Sequence, residues 1–489
     1  MKRKHIYYIL ALGLIVFISI PAFHLVKTYL NENNFKVRAP KGYTNDASGL
    51  SLTKVDSIID VPNSKEEIIN QLKGILEYSK TKKIPISIAG AKHSMGGHTM
   101  YPNGIVLNMR PYKEMQIDTN NNILTIGSGA LWEDALIYLD KFHKSIAVMQ
   151  AFSSFSIGGS ISVNGHGWQK DSPPISSSVI SFTLMNHNGK ILNCSRTENQ
   201  ELFSLVIGGY GLFGIILDVK LKVVDNEALQ FKFLRLSAEN YVTDYKKFVS
   251  NNPKVKLVFG RLRISNKLFL EEATLNFFEK VDEKPLPLER HNQKDLDSKR
   301  LVFRSTVNSE YGKRLRWNLE TGMNKVSKND IHSRNELLND NVTLIENKDT
   351  NSTDILHEYF IPERNFTLYL NEIRRVLPNK NIDLLNITIR GVYKDIDSYL
   401  NYAKEDVFGF VFLFNQKKSE KDEKEMKKLT KQLVEIAIKM EGTYYLPYRL
   451  HIDKETFRTV YPQGKEFFRL KLKYDPNEIF KNKFYDHYK

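Results

Sequence analysis

The loop Ile88-Ala-Gly-Ala-Lys-His-Ser-Met-Gly-Gly97 is built almost entirely of small residues and carries one imidazole, His93, at its centre. Glycine and alanine let successive main-chain N–H groups approach a diphosphate that larger side chains would hold off. Gly90, Ala91, Lys92, Ser94 and Gly97 are the candidate anion cradle, with His93 placed to reach the edge of a flat ring bound beside it. Glycine-rich turns follow many strands, so the loop by itself is a weak signal. Two further stretches strengthen it: Phe155-Ser-Ile-Gly-Gly-Ser-Ile-Ser-Val-Asn-Gly-His-Gly167 and Ile207-Gly-Gly-Tyr-Gly-Leu-Phe-Gly-Ile-Ile216. They add Gly158, Gly159, Ser162, Gly165, His166, Gly214 and Ile215 to the candidate cofactor-binding set. Three such clusters, each against apolar β-type sequence, imply one long ligand threaded between two small α/β lobes.

These loops need strands to carry them. An apolar strand at 57–61, an amphipathic helix at 64–79 and a strand at 85–89 read as a βαβ unit. Ser64 with Glu67 three residues on is a capping-box pattern that predicts the helix start. Strands at 104–109, 115–118 and 123–127, then a helix opened by Trp132-Glu-Asp134, complete one lobe. The second lobe contains strands 179–185 and 190–193 around the Asn188-Gly189 turn, a helix at 198–207 and a strand at 214–224. Beyond Val224 the glycine clusters stop, and β-α-β-like stretches appear at 229–264 and 358–389. The polar, charged segment 279–353 between them is expected to be irregular.

In this order the three motifs resemble the FAD-binding domain of the vanillyl-alcohol oxidase and p-cresol methylhydroxylase superfamily, over residues 51–224. Gly129-Ala-Leu-Trp-Glu-Asp134, Glu201-Leu-Phe and Gly208-Gly-Tyr-Gly-Leu-Phe-Gly-Ile215 read like cytokinin dehydrogenases, whereas Gly165-His-Gly167 is closer to sugar-lactone and decaprenylphosphoryl-ribose oxidases. The resemblance implies an α+β fold: a two-lobed FAD-binding domain with an antiparallel-sheet-plus-helices cap over the flavin. The implied organisation is a membrane anchor at 1–27, a linker at 28–50, the FAD-binding domain at 51–226, the cap at 227–444 and a C-terminal return at 445–489. It also implies FAD bound covalently through His93, since Gly90-Ala-Lys-His-Ser94 keeps His and Ser in the family's register.

Flavin oxidations need a group that takes the substrate's proton and a cation or dipole that stabilises negative charge as it develops. The resemblance points to Ser156, where alditol oxidases place a serine near substrate hydroxyls; a turn serine bonding its own backbone is the other reading. Arg390, on the apolar strand 384–390, shares a face with Thr388. Alditol and lactone oxidases have Glu and Arg at that pair, so here the carboxylate is missing, and a structural ion pair remains a second reading for Arg390. Cytokinin dehydrogenases have an aspartate where Ala151 stands, which argues against oxidation of adenine-type cytokinins. Tyr448 falls where decaprenylphosphoryl-ribose oxidases have a lysine, as a donor or a core aromatic. His166, between glycines, is expected to position the flavin.

The resulting expectation is an FAD-linked oxidase or dehydrogenase acting on a CH–OH group of a sugar, polyol or aldonolactone, with oxygen, a quinone or a redox protein as electron acceptor. The alternatives are oxidation of a lipid-linked sugar and flavin binding without turnover. Cys194 is the sole cysteine, which excludes an intramolecular disulfide, and it follows the Asn188-Gly189 turn away from the glycine clusters, so the additional cysteinyl flavin bond of some family members is not expected. No spacing suggests a metal site. The net charge of +15 comes from lysines mixed with acids, as in 420–428, which speaks for solvated helix faces rather than nucleic acid. Met1-Lys-Arg-Lys-His5 followed by an apolar run at 6–26 predicts a single-pass membrane anchor with an extracytoplasmic body, a signal peptide cleaved near Ala22 being the other reading.

Overall fold

In the computed structural model, residues 19–30, 39–289, 293–380 and 382–489 are described. Three parallel strands, Ser57–Asp60, Ile105–Asn108 and Ile86–Ala89, form the first lobe with Ile105–Asn108 in the middle. The helix Lys65–Lys82 crosses between the first two strands in sequence and buries Ile68, Leu72, Ile75 and Leu76, an i, i+4, i+7, i+8 stripe. Ser64 occupies its N-cap position with extended backbone, but the hydroxyl makes no capping bond, so the expected capping box is absent. The second lobe is an antiparallel sheet ordered Ile191–Ser195, Val179–Met185, Ile215–Asp225, Ile123–Gly127, Met115–Asp118, with Lys144–Ile146 also on Ile215–Asp225.

The cap is an eight-stranded antiparallel sheet. Its central order runs Glu272–Lys280, Val255–Leu262, Asp383–Val392, Val407–Lys417, Ser352–Pro362. The helices Phe366–Val376 and Glu420–Lys439 pack on one of its faces through Tyr369, Leu370, Leu429 and Leu433. That leaves the opposite face for the FAD-binding lobes. The segment expected to be irregular instead holds two helices, Gln293–Arg304 and Glu310–Val326. Their composition is polar, but tertiary contacts hold them: Arg316 Nε reaches Glu320 at 2.7 Å and its Nη1 reaches the Leu385 carbonyl at 2.9 Å.

The C-terminal stretch returns to the first lobe, where Phe480 bridges Ile86 and packs with Ile479 among Ile68, Leu72 and Ile105. The turn before it rests on the fully buried Lys471–Asp475 pair. The Asp475 carboxylate also accepts the main-chain N–H groups of Ile479 at 3.0 Å and Phe480 at 2.9 Å. Removing one partner strands a buried charge, so Lys471→Met is expected to destabilise the fold by about 3–5 kcal/mol, read as a shift in urea midpoint.

The expected membrane anchor is corrected. Among the described residues, no helix is long and apolar enough to cross a membrane. Residues 1–18 of the expected span lie outside the described residues. The remainder enters the helix 19–30, which docks on the cap: His24 Nε2 donates to the Ser305 carbonyl at 2.8 Å and its ring meets Tyr311 edge-on. The placement of an extracytoplasmic body on a membrane anchor falls with the expected anchor.

Candidate active site

The three glycine stretches meet the cap sheet around a cavity of about 690 Å³. Strand Ile86–Ala89 delivers the first loop, in which Lys92 adopts φ 57°. Among the described residues, the main-chain N–H groups of Lys92, His93 and Ser94 have no hydrogen-bond partner, and the Ser94 hydroxyl is buried without one. All three residues line the cavity. A run of unpaired donors on a left-handed bend is the geometry of an anion nest. A Cβ on Gly90 would stand 2.0 Å from Ser156 Oγ, so only glycine lets the first and second loops meet.

Ser156 lines the cavity, but its hydroxyl accepts the Ala91 N–H at 3.1 Å. It precedes the helix Ile157–Ser162 without capping it, and instead ties the two cofactor loops together. Ala91, Gly158, Gly159, Ser162 and Gly214 also lie on the wall. Three expected cofactor residues lie off it. Gly97, at φ 70°, gives its N–H to Asp46 Oδ2 at 2.8 Å and packs against Lys483. Gly165 makes room for the Gln150 side chain, which a Cβ would approach to 2.5 Å. Ile215 points into the core of the first lobe, and strand alternation turns Ile216 to the cavity.

His93 lines the cavity with its ring 4.4 Å from that of Phe155. Burial pushes its pKa down to about 4, so the imidazole is neutral near pH 7 and keeps a free lone pair. His98, which the sequence shows only as a neighbour of His93, lines the same cavity. Its Nε2 donates to the Leu446 carbonyl at 3.1 Å, and burial lowers its pKa to about 3.

The opposite wall comes from the cap sheet. Its register sets Thr388, Val411 and Glu358 in one row across three strands and Arg390, Gly409 and Phe360 in the next. Positions two apart share a face, and Glu358, Arg390 and Val411 line the cavity. Glu358 Oε1 lies 2.5 Å from His166 Nε2, and Oε2 accepts the Tyr448 hydroxyl at 3.1 Å. Burial and then the Glu358 carboxylate raise the Tyr448 phenol well above its ordinary pKa, which keeps it a donor. Thr388 is off the wall, its hydroxyl taken by Asn386 Nδ2 at 2.8 Å.

Sequence reasoning missed Glu358, although its type and place held a signal: a single carboxylate inside the apolar run 355–361 needs a partner when buried. The partners sit 192 and 90 residues away, so no local spacing points to them. Glu358 puts a carboxylate on the cap side of the cavity, and Ala151, which also lines it, carries none.

With this geometry in hand, comparison with known proteins identifies the class. Residues 58–195 match the family model for the FAD binding domain. That part of the chain is an FAD-binding domain of the vanillyl-alcohol oxidase and p-cresol methylhydroxylase superfamily, and FAD is its cofactor. Cytokinin dehydrogenase 2 of Arabidopsis thaliana is 28% identical over 200 residues, 39% of this chain and 40% of the relative. Cytokinin dehydrogenase 3 of Oryza sativa subsp. japonica is 29% identical over 230 residues, 44% of this chain and 42% of the relative. An uncharacterized oxidoreductase, ORF5 in the fasciation locus of Rhodococcoides fascians, is 24% identical over 210 residues, 42% of this chain and 47% of the relative. The chain spans less than half the length of these curated relatives.

Proposed function

We propose that the protein is an FAD-dependent oxidoreductase that oxidises a CH–OH group of a sugar, polyol or aldonolactone to a carbonyl. The observation that carries this reading is the Glu358–His166 pair, steadied by Tyr448, on the wall of a cavity whose other side is the FAD-binding loops. The cradle suits FAD: the N–H groups of 92–94 and the Ser94 hydroxyl are the donors for its diphosphate. Bound FAD supplies the acceptor for the hydride that leaves the carbinol carbon. The Glu358 carboxylate takes up the hydroxyl proton on a free lone pair as the C–O bond becomes a carbonyl, while its Oε1 stays hydrogen-bonded to His166 Nε2. Tyr448 fixes the second carboxylate oxygen, and apolar neighbours Val411 and Leu413 keep water away. The lipid-linked sugar alternative drew on the anchor and loses that support.

A second reading is oxidation of a secondary amine, favoured by the names of the relatives and disfavoured by Ala151. Anaerobic mixing with a panel of aldoses, polyols, aldonolactones and secondary amines tests both. Bleaching of the flavin by CH–OH donors is expected; bleaching by the amines alone assigns the second reading, and none by any donor leaves a flavin carrier.

The covalent bond through His93 belongs to this proposal. A neutral imidazole on the cavity wall is a competent nucleophile, and the rest of the cradle does not depend on it. Flavin is expected to stay with the chain through acid precipitation, and His93→Ala is expected to release it into the supernatant with the fold retained. Wild-type flavin that extracts freely sinks the bond.

A further inference from the structure

Buried arginines of the cap find partners: Arg334 bonds the Ile146 and Ala147 carbonyls, and others pair with carboxylates. Arg263 pairs with Glu272 at 2.6 Å, Arg304 with Asp354 at 2.5 Å and Arg316 with Glu320 at 2.7 Å. Arg261, in register with Thr388 beside the cavity face, also pairs with Glu320 at 3.0 Å. Arg390 is different. It lines the cavity, its Nε is buried without a partner, and among the described residues its guanidinium makes no hydrogen bond or ion pair. The carboxylate nearest in the sheet, Glu358, is held by His166 and Tyr448 on its two oxygens. A half-buried guanidinium that lines a cavity, with an enclosed and unbonded Nε and with the nearby Glu358 carboxylate already bonded on both oxygens, is suited to an anion delivered from outside.

The notch between them is open because the strand that separates Arg390 from Glu358 has glycine there. A Cβ on Gly409 would stand 3.4 Å from Glu358 Oε1 and 3.2 Å from the Phe360 ring. The donors for the FAD diphosphate lie on the 92–94 loop, in the other domain, and the oxidised flavin ring carries no charge to offer Arg390.

We propose that Arg390 is the receptor for an oxyanion, a carboxylate or a phosphate, carried by the substrate a few bonds from the carbinol that faces Glu358. The inference rests on the oxidoreductase reading above and narrows its substrates to acidic ones, such as hydroxy or sugar acids and sugar phosphates. Arg390 presents a planar fork suited to bidentate capture of either group.

The test uses oxidised holoprotein and follows flavin absorbance, without turnover. The probes are 2-hydroxyisobutyrate, whose tertiary carbinol has no hydrogen to give, its neutral amide, and inorganic phosphate. In the wild type the carboxylate is expected to bind roughly ten- to a hundredfold tighter than the amide, the range for a hydrogen bond to a charged group. Arg390→Met is expected to bring the two to parity with amide binding unchanged, and Arg390→Lys to restore part of the gap. Phosphate that displaces the carboxylate with a lower Kd assigns a phosphate ester, and weaker phosphate a carboxylate; both support an oxyanion site. Equal binding of carboxylate and amide in the wild type, no response to either anion, or a preference that survives Arg390→Met overturns it. Should Arg390→Met lose flavin, the wild-type comparison and Arg390→Lys decide. Intact anion binding with a flavin that no donor reduces would overturn the oxidoreductase reading alone.

Discussion

Glu358→Gln is expected to lower kcat by roughly two to four orders of magnitude, the range that removal of a positioned acid–base group costs. Glutamine keeps the shape of the side chain and can still accept the Tyr448 hydroxyl, which now reaches Oε2 at 3.1 Å. What it removes is the carboxylate's capacity to take up a proton beside His166. Flavin content and the visible spectrum should be unchanged, because the cradle residues 90–94 belong to the other wall. The loss should fall on kcat more than on KM, and stopped-flow reduction of the flavin under anaerobic conditions isolates the step. A variant that reduces its flavin at the wild-type rate removes Glu358 from the chemistry and leaves it a sheet residue tied to His166.

Arg390→Ala should cost turnover by roughly two to three orders of magnitude, about 2.7–4 kcal/mol of lost electrostatic stabilisation in a site screened from water. Burial lowers the pKa of this guanidinium, against the pull of Glu358 and Tyr448, so its charge is held under strain that a negative partner relieves. Its backbone pairs with Gly409 in the middle of the sheet, and alanine keeps that ladder. Fold and FAD content are therefore expected to survive, measured by thermal melt and by the flavin-to-protein absorbance ratio. A variant that loses flavin or unfolds, with normal rates in the folded fraction, makes Arg390 structural.

How much of this was legible in the chain follows from the range of each interaction. Glycine loops are local statements: the need for a left-handed Lys92 or for the absence of a Cβ at Gly90 is written within a few residues, and so are the alternating strands that carry them. The βαβ unit, the Asn-Gly hairpin and the cap's β-α-β stretches were readable for the same reason. Helices Gln293–Arg304 and Glu310–Val326 were not, because their stability comes from docking through Arg316 and Glu320 rather than from an apolar composition.

The sequence by itself determined the cofactor: three contiguous stretches set the backbone that FAD needs, and their residues need no distant partner to be recognised. Tertiary structure alone decided the chemistry around it. It set the Ser156 hydroxyl on the cavity wall with a bond that ties two loops together, moved Gly97, Gly165 and Ile215 off the wall, and joined Glu358 to His166 and Tyr448. The physical reason is that the partners of a buried carboxylate are set by what surrounds it. Here those surroundings are one sheet register and two loops, brought to hydrogen-bond distance from positions 90 and 192 residues away.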